Sequence, residues 1–162
     1  CWKPLDYMSD NENFRVSDID RIASMLIKGK GDDIWVPEAR TLFRGIVLLL
    51  IELGGEYPIT LGEVYRQNNT VQCEAEYFKE MVSMHKGILS TQCQMALMSY
   101  ATNADKTRKG IKSQLNSSLS LFASPVIDAI TSKSDFNFAD LRKRKIFLVY
   151  SCIWRSRGAW SD

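Results

Sequence analysis

Pro37-Glu38-Ala39-Arg40-Thr41-Leu42-Phe43-Arg44-Gly45-Ile46-Val47-Leu48-Leu49-Leu50-Ile51-Glu52-Leu53 is the stretch that decides the fold class. Proline suits the first turn of a helix, where its missing N–H has no partner to lose, and Gly54-Gly55 is a stop signal. Ala39, Leu42, Phe43, Ile46, Leu49, Leu50 and Leu53 recur at helical spacing, while Ile46 to Ile51 is apolar on every side. A long helix buried deep in a core is therefore expected. Glu52 ends the apolar run far short of the about 20 residues that a membrane span requires.

Helix signals continue on both sides. Ser17 is positioned to cap a helix from Asp18 to about Ile27, with Ile19, Ile22, Ala23 and Leu26 on one face. Gly29-Lys30-Gly31-Asp32-Asp33 reads as a loop. Thr60-x-x-Glu63 is a capping box for a short helix ending near Asn68-Asn69. Further helices are expected over Val71 to Met84, Ser90 to Tyr100 and, after a break at Asn103 to Asp105, Lys106 to Phe122. Ser124-Pro125 starts a last short helix, the serine as cap and the proline at its first position. Only Ile146 to Tyr150, β-branched and aromatic, reads as a strand. The fold class is thus all-α, a compact helical bundle, with a short strand that has no sheet to join and belongs with another domain.

With 162 residues, 45% hydrophobic and 25% charged, the chain has the composition of a globular domain able to bury a core. The net charge of +2 hides an asymmetry. Residues 1–100 carry 10 Lys/Arg against 14 Asp/Glu, a balance of −4, and residues 101–162 carry 11 against 5, a balance of +6. An anionic partner on one side would suit that split, and a globular domain can equally carry it with no partner. Cys1, Cys73, Cys93 and Cys152 lie far apart without paired spacing, so reduced thiols are expected rather than a disulfide framework. Lys3, Asp6 and Asp10 interrupt any apolar leader.

Catalytic and metal signals are missing from the pattern. His85 is the only histidine, no Gly-x-Ser-x-Gly surrounds a nucleophile, and Cys73-x11-His85-x7-Cys93 matches no zinc spacing. A Walker A loop requires Gly-x-x-x-x-Gly-Lys-Ser/Thr, whereas Lys30 is followed by glycine and two acids that would repel phosphate. Two basic clusters are candidate DNA contacts: Lys106, Arg108, Lys109 and Lys112 along one helix, and Arg142-Lys143-Arg144-Lys145 before the strand. Either could neutralise backbone phosphates. The plainer alternative is a solvated helix face and a charged approach to the strand, since no aromatic residues interleave to stack bases.

Three stretches, in order, resemble the coupling proteins of conjugation and type IV secretion (the TraG-like family). The first is Lys3-Pro4-Leu5-Asp6-Tyr7 followed by Asp18-Ile19-Asp20-Arg21-Ile22-Ala23. The second is Trp35 with Glu38-Ala39-Arg40-x-Leu42-Phe43, then Pro58-Ile59-Thr60-Leu61-Gly62-Glu63-Val64. The third is Ile111-x-Ser113-x-Leu115, Phe122-Ala123-Ser124-Pro125, Ala129-x-Thr131-Ser132 and Ser134-Asp135-Phe136 ahead of Asp140-Leu141-Arg142.

The resemblance implies an all-α domain inserted in a RecA-like motor domain. Residues 1–16 would lead in from the motor, 17–140 form the all-α domain, and 141–162 hold the return strand and an unassigned tail. Residues 1–10 and Ile146 to Tyr150 would then be remnants of the motor's sheet. In that family six subunits form a ring at the cytoplasmic face of the bacterial inner membrane. The helical domains receive relaxase or secreted effector proteins with their chaperones or adaptors. ATP and Mg would belong to the parent's motor, an ATPase. This stretch lacks Walker A and B motifs, so no cofactor and no nucleotide hydrolysis are expected of it, and without the motor domains that hold the family's rings it is expected to be monomeric. The expected function is a substrate-recruiting docking domain, and the alternative is direct, sequence-nonspecific DNA binding.

Overall fold

The computed structural model describes residues 3–29, 34–69 and 74–135. Its helices are α1 (Glu12–Leu26), α2 (Val36–Glu52), α3 (Leu61–Asn69), α4 (Glu74–Met84), α5 (Thr91–Thr102), α6 (Asp105–Leu119) and α7 (Pro125–Thr131). A 3₁₀ turn at Pro4–Tyr7 precedes them, another at Ser120–Ala123 joins α6 to α7, and there is no strand among the described residues. None of the helices there is long and apolar enough to cross a membrane.

The arrangement is organised around α2. All seven residues of its expected stripe are buried, and so are Val47 and Leu48, because neighbours cover it from several sides. It packs most extensively on α5, then on α6, α1 and α3. Each fully covered leucine or isoleucine contributes about 1.5–3 kcal/mol of transfer free energy. Leu53 donates its N–H to the Leu49 carbonyl at 3.0 Å, and the chain then leaves through Gly54 and Gly55 at φ 56° and 101°. Positive φ is costly for any residue with a Cβ, so the helix stops there. From the other side α4 adds Phe78, which meets Tyr100 of α5 edge to face at 5.9 Å and 81°.

Several boundaries differ from the sequence reading. The first helix begins at Glu12, not Asp18, and its cap is Asn11, whose Oδ1 accepts the Asn13 N–H at 3.0 Å. Ser17 is an exposed residue inside α1. Val16 extends the Ile19–Ala23 face back by a turn, and Glu12 suits the positive helix start, so the earlier cap wins. The expected sheet remnant over residues 1–10 is instead, where described, a 3₁₀ turn whose Leu5 joins the same core. Pro4 fixes the turning φ there. The helix expected to reach Phe122 is α-helical only to Leu119.

Capping is partly as expected. Thr60 Oγ1 accepts the Glu63 N–H at 3.0 Å. The Glu63 carboxylate does not complete the box, because Arg66 Nε at 2.7 Å and Gln67 Nε2 at 2.8 Å draw it along α3. Ser124 precedes α7 without a side-chain cap bond. The Lys30–Asp33 part of the loop, the first turn expected from Val71, the Arg142–Lys145 run and the Ile146–Tyr150 strand lie outside the described residues.

Candidate functional site

The four cations singled out near residue 106 all fall on α6. Ile111, Leu115 and Leu119 turn inward and are buried. Lys106 and Lys109 are exposed, while Arg108 and Lys112 are half-buried. The row is less free than its spacing suggests. Asp105, in the first turn, meets Lys109 Nζ at 2.9 Å and Arg108 Nη2 at 3.1 Å. Arg108 Nη1 also donates to the Asn103 carbonyl at 2.6 Å. The hydrogen bond from Lys109, with its charge, holds the Asp105 carboxyl below its ordinary range. A permanent anion therefore sits among the lysines and weakens their field toward a phosphate backbone. The second candidate cluster, Arg142 to Lys145, is outside the described residues.

A different surface is built by α1, α2 and α5. Both α1 and α5 run antiparallel to α2: Asp20 pairs with Arg44 at 2.9 Å while Ile27 beyond it meets Arg40, and Ser90 meets Glu52 at 2.7 Å while Ala96 and Leu97 reach Gly45. Small residues bring α5 close. Ala96 packs at the Gly45 backbone, and Cys93 Sγ lies 3.5 Å from the Gly45 carbonyl oxygen. Since α1 and α5 each pack on α2 far more than on one another, an open groove remains between them. One part measures 460 Å³ and lies over Leu48, Val16 and Ile88; an adjoining 320 Å³ part reaches Ala96 and Met95. Ile88 and Met95 are 63% and 68% exposed.

The electrostatics of this groove are uneven. Glu12 and Glu52 line it and form no ion pair among the described residues. Of its two arginines, Arg44 pairs with Asp20, whereas Arg15 donates to the Asp10 carbonyl at 2.7 Å and keeps its charge. The opposite wall, α5, has no charged residue from Thr91 to Thr102. Its outward stripe consists of Thr91, Gln92, Met95, Ser99 and Thr102. Sequence reading missed this surface, although twelve residues of partly exposed helix without Asp, Glu, Lys or Arg were visible in the chain.

The remaining polar cluster serves the fold. Tyr77 donates to Gln67 at 2.8 Å, Gln67 to Glu63, and Arg66 bridges Glu63 and Asp128 at 2.7 Å each. This chain ties α4, α3 and α7 together. Burial, then Tyr57, pushes the Tyr77 hydroxyl up to about 12. Burial, then the charge of Glu52, pushes the Cys93 thiol up to about 12, where it is inert at neutral pH. His85 is half-buried and closes α4 through its backbone N–H to Met81. No group of histidines, cysteines and acids able to hold a metal occurs among the described residues.

Over residues 1–154 the sequence matches the family described as Type IV secretory system Conjugative DNA transfer. Protein VirD4 of Rhizobium radiobacter is 32% identical over 157 residues, covering 94% of this chain and 22% of that protein. Protein VirD4 of Agrobacterium fabrum and that of Rhizobium rhizogenes are each 31% identical over the same span and shares. The chain thus spans about a fifth of the length of these relatives. No solved structure matches it.

Proposed function

The chain belongs to the type IV secretory system conjugative DNA transfer family, and on that premise we propose that it is the substrate-recruiting docking domain of a coupling protein. Its cargo would be secreted effectors with chaperones or adaptors, or a relaxase, received at the cytoplasmic face of the inner membrane. ATP, Mg and the hexameric ring would belong to the motor of the parent protein. The observation that supports docking is the outer stripe of α5, exposed and wholly uncharged beside an open groove. Protein interfaces are depleted of charge and enriched in methionine at their centres, whereas solvated helix faces carry Lys and Glu.

Direct DNA binding by α6 is the second reading. The family's description and the four cations favour it, while Asp105 among those cations counts against it. Titrating the purified chain with relaxase or with an effector–chaperone pair of its own system separates the two. Docking predicts saturable binding that persists as salt rises. Binding only to nucleic acid, falling steeply with salt, would overturn it.

A further inference from the structure

We infer that α7 is a strap that opens from the bundle as a unit, clasped shut at one point by the Asp128–Arg66 pair. The helix lies against α3, yet none of its residues is buried. Val126 and Ile130 are 69% and 46% exposed, so its apolar side chains bury little of the surface that would hold it. Ile127, half-buried, is the one apolar residue of α7 that is not exposed. A helix of seven residues does not persist in water on its own, because the cost of nucleating it is spread over too few hydrogen bonds. The state of α7 therefore depends on what attaches it.

The attachment is polar and concentrated at one carboxylate. Asp128 Oδ2 accepts from Arg66 Nη1 at 2.7 Å, and the same carboxylate lies over the Gly62 backbone. Its Oδ1 accepts from Ser132 Oγ at 3.2 Å, which ties the end of the strap to the same group. The Arg66 side chain is 47% exposed and is shared with Glu63, so this clasp is far weaker than core packing. The flanks are held separately. Before α7, Leu119 is buried and Phe122 packs against the core; after it, Ser134 Oγ accepts the Lys3 N–H at 2.9 Å. Parting Asp128 from Arg66 thus releases α7 between two pins and leaves the packing around α2 untouched. Such openings lie below the free energy of global unfolding. The open strap uncovers the Gly62 backbone at the start of α3 and takes one of two carboxylates from Arg66.

The test is native-state hydrogen exchange on the whole chain, read by amide NMR at increasing urea and corrected for intrinsic exchange rates. Amides 128–131 report α7, where the Asp128 N–H donates to the Ser124 carbonyl, and amides 46–50 report the core. An opening strap exposes little surface. At low urea, amides 128–131 should therefore exchange at least about a hundredfold faster than 46–50, with almost no urea dependence. Asp128→Ala raises helix propensity yet removes the clasp, and should speed exchange at 128–131 by about tenfold while leaving 46–50 unchanged. Arg66→Met keeps the apolar stem, removes the donors and should do the same. The double variant should exchange no faster than either single one, because both remove one contact. A single rate and urea dependence shared by both sets of amides would overturn the inference, since α7 would then open only with the whole bundle. Additive effects in the double variant, or no effect of either substitution at 128–131, would overturn it equally, because the pair would not be what holds the strap.

Discussion

The carboxylate of Asp128 in α7 fills the space over Gly62, at the first turn of α3, where any other residue would place its Cβ. Asp128 also accepts from Arg66 at 2.7 Å and from Ser132 Oγ at 3.2 Å. No residue of α7 is buried, so these polar contacts hold much of its position. Gly62→Ala would push the carboxylate aside and break the Arg66 bond. Overpacking of this kind costs about 1–3 kcal/mol, of which alanine's better helix propensity returns at most about 1 kcal/mol. The expected result is a lower urea midpoint with faster amide exchange in α7. A gain in stability with unchanged α7 exchange would show that the contact is not limiting.

Leu49 is 1% exposed at the centre of the core. Leu49→Ala removes buried methylenes and leaves a cavity that the packed helices around it close only in part, at a cost of about 2–5 kcal/mol. Denaturant unfolding, followed by far-UV circular dichroism, measures this directly. A change below about 0.5 kcal/mol, the level of ordinary surface substitutions, would contradict the placement of α2 at the centre.

The core was legible because its signal is dense and local. Seven apolar residues at helical spacing, bounded by Pro37 and Gly54-Gly55, leave α2 little freedom, and every one of them is buried. The start of α1 was harder, since Asn11 and Ser17 are both competent caps, and the tertiary contact of Val16 together with Glu12 in the first turn decides between them. The Asp105 pairings follow from i,i+3 and i,i+4 spacing and were readable in principle. The groove was not, because it depends on α1 and α5 meeting the same flank of α2 across more than 70 residues of chain. Its one local trace is the charge-free run of α5.

Cys93 and Tyr77 set an alkaline limit. Cys93 is buried at 0% exposure, and burial raises its thiol from about 9 to about 12. Below pH 9 both states keep the proton and stability is unaffected. Above it the unfolded chain releases the proton while the folded chain retains it, so stability falls by about 1.4 kcal/mol per pH unit until about pH 12. Tyr77, raised from 10 to about 12, adds to the loss above pH 10. Unfolding midpoints measured from pH 8 to 11 should fall steadily, and Cys93→Ala should flatten the part between pH 9 and 10. An identical slope in the variant would mean that the thiol is not protected by the fold.

Direct DNA binding can be tested on α6 itself. Lys106, Lys109 and Lys112 follow one another at about one turn, and Asp105 holds Lys109 and Arg108. If this face contacts a phosphate backbone, affinity is weak, independent of sequence and lost as salt rises. Lys109→Glu with Lys112→Glu should then reduce the salt slope by roughly one for each lost contact. Asp105→Asn gives the opposite arm, because removing the anion takes a negative charge out of the row and should strengthen binding. All three residues lie wholly or partly at the surface, so losing the Asp105 pairings should cost the fold no more than about 1 kcal/mol. Anisotropy titrations with duplex DNA at several salt concentrations measure both arms. If neither substitution alters a measurable affinity, the lysines serve as a solvated face, and the weight moves to the α1–α5 groove.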